Sequence, residues 1–490
     1  MKLSGLKWEI IMAAKSLLLL DEVLAAVDGI HVLGGHNFCF TSVQTDSRNV
    51  EKDTLFVPLI GENQDGHKYC QSACEKGASV IFIAQQNFEK NSQYFVDISR
   101  LYPDVYFIAV ENTMTALQKA AERYVEKFPS LIKIGVTGSS GKTTTKEIAA
   151  SILSQKYKVI TNKGNFNSET GLPLSVFNIR EEHEVGLFEM GMNRENEIGE
   201  IAAVLKPSYA IVTNIGTAHI GKLGSRENIA REKSKVFDYL NTFGTGFIPK
   251  DDDFADFMAD YIDGNGHAVF YGQDCDESVK FLQDKGLDGT EIQIGDYKAV
   301  LSLPGKYNFK NALAAIALAK YLSVSDEQIA KGIESLKPMF GRSQVLHGKY
   351  TIVQDCYNAN PDSMEKAIDF VSSVTSSRKK IFVLGDMLEL GDSSKADHEA
   401  AGIQALNSSA DLLIFAGDEM KSAYEKVISD EKFKSAENKT VKYFSGHSDE
   451  TVQEICNAVT DFAQPGDIIL IKASRGMGLE RITEKLEGNK

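Results

Sequence analysis

Positive charge is in short supply in this chain. Lysine and arginine number 53 against 68 aspartates and glutamates, for a formal net charge of −15. A nucleic-acid groove needs a positive surface, so this balance argues against nucleic acid as a partner. It leaves room for a local positive pocket that takes a nucleotide. Long apolar runs are missing too. The segment Ile10 to Leu20 is broken by Lys15 and followed by Asp21 and Glu22. It is too short to span a bilayer and lacks a small-residue cleavage site, so it reads as a helix of the first domain. Stable membrane insertion is not expected; a cytoplasmic, monomeric protein is. Cysteine is sparse and scattered: Cys70 and Cys74 stand one helical turn apart, and no second pair completes a zinc set. The thiols read as reduced and mostly buried. With no internal repeat and no low-complexity tract, 490 residues suggest about three domains.

What is present is concentrated at Leu131 to Ala150. Leu131 to Val136 reads as a buried strand, Thr137 to Lys142 as a tight loop, and a helix begins near Thr143. Such a loop turns backbone N–H groups inward and aims a helix N-terminus, carrying roughly half a positive charge, at the same point. Gly138 and Gly141 permit backbone angles and approaches that a Cβ forbids. Lys142 adds a cation and the Thr143 hydroxyl suits magnesium. The usual phosphate loop has a further glycine where Val136 stands, so this is a shorter variant. It is read as a nucleoside triphosphate site.

Strands and helices alternate along the whole chain, which predicts an α/β fold of three domains. The expected units are a small α/β domain over residues 1–110, a central parallel-sheet ATPase domain over 111–339, and an α/β domain over 340–490. In the first, Thr45-Asp46-Ser47-Arg48 follows a strand and reads equally as a site for an anionic or uracil-bearing ligand and as a surface turn. In the second, a polar loop, Asn162 to Ser168, is too rich in amides to be a simple linker. Val185 to Glu189 is a strand ending in an acid, and Tyr209 to Ile215 a strand ending just before Gly216-Thr217-Ala218-His219. In parallel sheets ligands gather outside the carboxyl ends of the strands, where the phosphate loop, Glu189 and His219 all fall. Asn308 reads as the cap of a helix from Phe309 to Leu322, with Asn311 on its first turn, and Lys337 to Arg342 as a linker. In the third unit, strands are expected at Thr351 to Asp355, Lys380 to Leu384, Leu412 to Ala416 and Ile468 to Lys472. Asn360 caps a helix starting at Pro361.

A triphosphate carries about four negative charges, and two unit charges 4 Å apart cost roughly 4 kcal/mol at an effective dielectric near 20. Lys142 alone does not offset that, so ATP with Mg2+ is expected. Thr143 and Glu189 are hard oxygen ligands of the kind magnesium prefers. His219 reads either as a further ligand or as a hydrogen-bonded strand-end histidine. Arg342 and Arg475 read either as clamps on phosphate or carboxylate or as surface arginines. Lys233, within Arg231-Glu232-Lys233-Ser234-Lys235 on a helix from Glu227 to Leu240, reads from its spacing as part of a solvated face.

Together, Thr137 to Thr144, Phe188-Glu189-Met190-Gly191, Thr213-Asn214 through His219, Asn308 to Asn311 and Gly341-Arg342 resemble, in order, the motifs of the Mur ligases, ATP-dependent amide-forming enzymes of peptidoglycan precursor synthesis. The resemblance covers nearly the whole chain. Asp355 to Pro361 and Gly385-Asp386-Met387 with Glu389-Leu390-Gly391 are most similar to the member that adds D-Ala-D-Ala to UDP-N-acetylmuramoyl-tripeptide. The resemblance implies an acyl phosphate mechanism and assigns roles. Gly138, Ser139, Ser140, Gly141, Lys142, Thr143, Thr144, Asn311, Arg342 and Asp355 would bind ATP. Thr143, Glu189, His219 and Lys233 would hold metal, Lys233 being carbamylated, which reverses the reading of it as a solvated charge. Lys142, Lys233 and His219 would be the catalytic set. Ser47 and Arg48 would lie near UDP, Asn165, Asn167 and Ser168 near the muramoyl peptide, and Tyr357 and Asn358 in the dipeptide pocket. The segment ahead of Met12 has no clear counterpart, and Met12 is read as an alternative start. A folylpolyglutamate synthase-like ligase is the alternative, but it has no use for a UDP-binding first domain.

Overall fold

The computed structural model describes residues 16–36, 38–61, 64–337, 339–435 and 439–488. Most of the expected opening helix, part of the 61–67 turn and one residue of the 337–342 linker lie outside these. The α/β, three-part architecture is present, and among the described residues four sheets build it.

The first sheet has the spatial order Ile30–Leu33, Tyr106–Val110, Ala78–Ala84, Thr54–Phe56, Ser42–Gln44. Only the Ile30–Leu33 edge runs antiparallel. The helix Thr113–Val125 joins this layer to the next. Asn112 caps it by accepting the Met114 and Thr115 N–H groups, and Thr113 Oγ1 donates to the Pro58 carbonyl at 2.7 Å. One continuous apolar cluster runs from Leu17 through Leu117 and Tyr124 to Ile201 and Ile248.

The central sheet is entirely parallel, in the order His267–Tyr271, Thr245–Pro249, Tyr209–Val212, Ile132–Thr137, Val185–Glu189, Val159–Thr161. Its middle strands are apolar runs because helices cover both faces. The phosphate-loop helix Lys142–Leu153 packs against Lys306–Tyr321, whose alanines let the two approach closely. The stretch from Asp251 to about Asp296, whose sequence pattern is weaker, acidic and glycine-punctuated, leads into a three-stranded antiparallel sheet, Val279–Asp284, Thr290–Ile294 and Tyr297–Leu301.

The third sheet has the order Gln344–His347, Thr351–Asp355, Ile468–Lys472, Lys380–Gly385, Leu412–Ala416, Thr440–Phe444, parallel except at its first pair. Asn360 caps the helix Pro361–Ser373 as expected, accepting the Ser363 N–H at 2.9 Å. Asn308 is not a cap. The helix starts at Lys306 because Gly305, at φ +93°, turns the chain earlier, and the Asn308 side chain donates back to the Pro304 carbonyl at 2.7 Å. The Tyr209 strand stops at Val212, and the Lys233 helix ends at Ser234 in a single 3-10 turn. Five of the six cysteines, all but Cys275, are buried. No helix among the described residues is long and apolar enough to cross a membrane.

Candidate active site

The phosphate loop connects the strand Ile132–Thr137 to the helix Lys142–Leu153, with Gly141 at φ +78° in the cap position. Its glycines are required by what faces them. A methyl group on Gly138, at φ +148°, would stand 1.8 Å from Thr213 Oγ1, and one on Gly141 would stand 2.4 Å from Asn311 Oδ1. The loop is braced from the segment after Val212. Thr213 Oγ1 donates to the Ser140 carbonyl at 2.6 Å, the Ser140 N–H donates to Asn214 Oδ1 at 2.9 Å, and the Gly216 N–H donates to Ser139 Oγ at 2.9 Å. We expect Gly138→Ala to force the loop off Thr213, cost about 1–3 kcal/mol of backbone strain, and weaken Mg·ADP binding at least tenfold by calorimetry. Unchanged affinity would show that the loop shape is not set by this contact.

Two lysines meet on one carbonyl. Lys142 Nζ and Lys233 Nζ each donate to Gly138 O at 2.9 Å. Burial lowers the pKa of Lys142, with Arg342 adding to the effect and Glu189 opposing it. Lys233 is held well below the usual lysine value by burial first and by Lys142 second. At 1% exposure Lys233 is not part of a solvated face, which corrects the reading from charge spacing. Arg231 and Lys235, four residues apart, share one side of the helix, and Lys233, two residues from each, faces the opposite way, into the protein.

Glu189, 2% exposed, ends its strand beside the loop. Its Oε2 accepts from Thr143 Oγ1 at 2.5 Å and its Oε1 from Asn167 Nδ2 at 2.7 Å. His219 sits at φ +66° with its Nδ1 buried and without a hydrogen-bond partner, 3.7 Å from Glu389 Oε2. Burial, then the ammonium groups of Lys233, Lys142 and Lys222, push its pKa down to about 3. The imidazole is therefore neutral, the form that ligates metal. No three carboxylate, imidazole or thiol groups converge into a metal cluster among the described residues. A hydroxyl, a carboxylate and an orphan imidazole nitrogen still fit a magnesium ion that draws its remaining ligands from phosphate oxygens and water.

The third unit closes over this edge. A methyl group on Gly216 would stand 2.4 Å from Asp362 Oδ2, and one on Gly221 would stand 3.3 Å from the Leu390 carbonyl. Arg342 lies 4.1 Å from the Tyr357 ring centroid, and Arg475 lies 5.4 Å from Phe340 and 5.9 Å from Tyr357. Arg475 is also paired with Glu480 at 2.8 Å. Asp355 is held within its own unit, accepting the Ser343 N–H at 3.0 Å and pairing with Lys472 at 2.9 Å. Asn358 is exposed, and its carbonyl accepts from Lys472 Nζ at 2.6 Å.

The structure thus brings together residues 138–144, Glu189, His219, Lys233, Asn167 and Asn311, with Arg342 close enough to affect Lys142. Asn165 is exposed on the loop that presents Asn167, and Ser168 Oγ accepts the Gly171 N–H at 3.2 Å. Ser47 and Arg48 stand apart, on the first sheet's rim. Ser47 is buried, Arg48 is bound to Asp46, and Lys76 donates to both of their carbonyls. Sequence reasoning assigned no role to Lys146, Asn162 or Asp362. A lysine four residues past Lys142 and an amide directly after a strand were the available signals.

The chain matches three family models in series: "Mur ligase family, catalytic domain" over residues 40–127, "Mur ligase middle domain" over 136–319, and "Mur ligase, glutamate ligase domain" over 341–475. It is 40% identical over 467 residues to the UDP-N-acetylmuramoyl-tripeptide–D-alanyl-D-alanine ligase of Treponema pallidum, covering 95% of this chain and 98% of that protein. Among solved structures, MurF from Acinetobacter baumannii superposes with a TM-score of 0.81 at 26% identity, covering 95% of this chain and 98% of that one. MurF ligase from Thermotoga maritima in complex with ADP gives 0.72 at 26% identity, covering 91% and 97%. Three matched domains in the family's order, around a phosphate loop braced as described, make this chain a member of the Mur ligase family.

Proposed function

We propose that the protein is an ATP-dependent carboxylate–amine ligase that joins D-Ala-D-Ala to UDP-N-acetylmuramoyl-tripeptide, releasing ADP and phosphate, in peptidoglycan precursor synthesis. The observation that carries the reading is the convergence of Lys142, Thr143, Glu189, His219 and Lys233 at one sheet edge, beneath a third unit that brings Arg342 and Tyr357 to the same cleft. The 1–110 unit would take the UDP end through Ser47 and Arg48, the 111–339 unit ATP, and the 340–490 unit the dipeptide. The protein would act in the cytoplasm as a monomer.

A terminal carboxylate oxygen of the tripeptide attacks the γ-phosphorus, and the bond to ADP breaks. The dipeptide nitrogen then attacks the acyl carbon and loses a proton, and the C–O bond to phosphate breaks. Phosphorylation converts a poor leaving group into a good one, so the chain's task is to position reactants and offset charge. Backbone N–H groups of residues 138–144 and the Lys142 ammonium would cradle the phosphates, with Asn311 beside Gly141. Arg342 and Asp355 would reach the nucleotide from the third unit. Asn165, Asn167 and Ser168 would hold the muramoyl peptide, and Tyr357 and Asn358 the dipeptide. Magnesium, held by Thr143, Glu189, His219 and carbamylated Lys233, would supply charge neutralisation at the phosphates. Burial and the neighbouring Lys142 disfavour the protonated form of Lys233, which suits carbamylation: the free amine nitrogen bonds to the carbon of CO2 and releases a proton. The product anion beside Lys142 replaces a repulsive pair with an attractive one.

Tripeptide labelled with oxygen-18 in its terminal carboxylate tests the pathway. One labelled oxygen should leave in the phosphate, and unlabelled phosphate would exclude an acyl phosphate. Glu189→Gln keeps the shape and removes the charge. It should raise the Mg2+ concentration for half-maximal activity by about tenfold or more, and an unchanged Mg2+ dependence would remove Glu189 from the metal site.

A further inference from the structure

The strand Val159–Thr161 pairs with Val185–Glu189 only as far as Thr161 opposite Leu187. Glu189 lies two residues further on, where the neighbouring main chain has turned away into the 162–168 loop. The Asn162 side chain takes over the vacated ladder position. Its Oδ1 accepts the Glu189 N–H at 2.9 Å, and its Nδ2 donates to the Glu189 carbonyl at 2.9 Å. A side-chain amide carries a donor and an acceptor in the same arrangement as a peptide, and a carboxylate or a hydroxyl does not match both.

The same Nδ2 donates to the Phe166 carbonyl at 2.8 Å, and the Asn162 carbonyl accepts from Lys146 Nζ at 2.8 Å. Asn162 and Lys146 are 2% and 1% exposed. Lys146 stands on the phosphate-loop helix one turn past Lys142, with Glu147 Oε1 2.8 Å from its Nζ. Asn162 is thus the joint of three pieces: the phosphate-loop helix that carries Thr143, the strand end that carries Glu189, and the 162–168 loop. The loop's far end returns to the same strand end. Asn167 Nδ2 reaches Glu189 Oε1, and the Asn167 carbonyl accepts the Gly191 N–H at 2.7 Å.

We propose that Asn162, held by Lys146, is a positioning residue that couples the Glu189 carboxylate to the 162–168 loop, so that the metal–nucleotide and the tripeptide nucleotide each tighten the other's binding. This rests on the ligase reading above, which gives the loop its ligand. An unpaired Glu189 N–H and carbonyl, buried as they are, would pull the strand end out of register and move the carboxylate and the loop together. Two ligands that order the same element bind cooperatively, and the coupling is lost when the element is cut.

The test is calorimetric titration of UDP-MurNAc-tripeptide into the full chain, with and without Mn2+·ADP, alongside Mn2+ binding followed by electron paramagnetic resonance. In the wild type each ligand should tighten the other. Asn162→Ala should bind each about tenfold more weakly and lose the mutual tightening, while the KM for D-Ala-D-Ala stays within twofold. Asn162→Asp keeps the acceptor but cannot donate to the two carbonyls, and should be no better. Lys146→Met should lose part of the coupling and Lys146→Arg restore it. This pair supplies the same test if the Asn162 variants do not fold. Coupling retained in Asn162→Ala or in Lys146→Met, or a loss shared equally by the dipeptide, would overturn the proposal. A wild type without dipeptide-dependent phosphate release would instead overturn the ligase reading.

Discussion

Lys142→Ala should lower kcat by at least about a hundredfold, as expected when a preorganised charge is removed from a transition state that gathers negative charge. The fold should survive. Lys142 shares the Gly138 carbonyl with Lys233, and burial already lowers its pKa, so the nucleotide-free protein gains nothing from keeping this cation. A lysine whose pKa is lower in the folded state binds fewer protons there, so stability rises with pH up to the unfolded value near 10.5. Lys142→Ala should therefore melt no lower than the wild type near neutral pH and show a shallower rise above it. Thermal melts across pH with phosphate-release kinetics on the same samples check both parts. Near-normal turnover in a folded variant would remove the phosphate loop from the mechanism.

Lys233→Ala should lose activity by a comparable factor, and short carboxylates such as formate or acetate should restore part of it. Lys233 is buried against Gly138 O with its pKa held well below the lysine range. Burial and Lys142 disfavour a cation at this position, so its value to the reaction lies in becoming an anion that helps hold a cation. Removing the side chain leaves space in which a free carboxylate can stand for the carbamate. Rescue that saturates with carboxylate concentration supports this role. Full activity without any carboxylate would return Lys233 to a purely structural part.

These two lysines also show how far the sequence could be read. Lys142 was legible because its neighbours carry a local code: strand, glycines, Lys-Thr and helix occur within twenty residues, and each constrains backbone geometry on its own. Lys233 was not, because a charged helix has the same composition whether a given lysine faces water or the core, and only packing of the helix Arg226–Ser234 beneath the phosphate loop decides it. The family resemblance supplied that role where pattern reasoning pointed the other way. The strands at Ile132–Thr137, Val185–Glu189, Tyr209–Val212, Thr351–Asp355, Lys380–Gly385, Leu412–Ala416 and Ile468–Lys472 were visible as apolar runs, whereas Thr245–Pro249 and the half-exposed strands His267–Tyr271 and Thr440–Phe444 were not read. The Val279–Leu301 sheet was not, because its strands are short and only partly buried and lie within an acidic, glycine-punctuated background. Asn308 was misread as a cap because asparagine favours that place, while Gly305 had already turned the chain. Asn162 shows a further limit. Its role depends on which carbonyl and N–H a neighbouring strand leaves unpaired, and that is a property of the sheet, not of the segment.

Phosphate release from Mg·ATP in the presence of UDP-MurNAc-tripeptide, measured with and without D-Ala-D-Ala and followed by mass spectrometry of the products, decides whether the protein is a D-Ala-D-Ala-adding ligase. Release should require both substrates, with the UDP-linked pentapeptide as product. Release indifferent to the dipeptide, or none with either a lysine or a diamino-acid stem, would contradict that assignment.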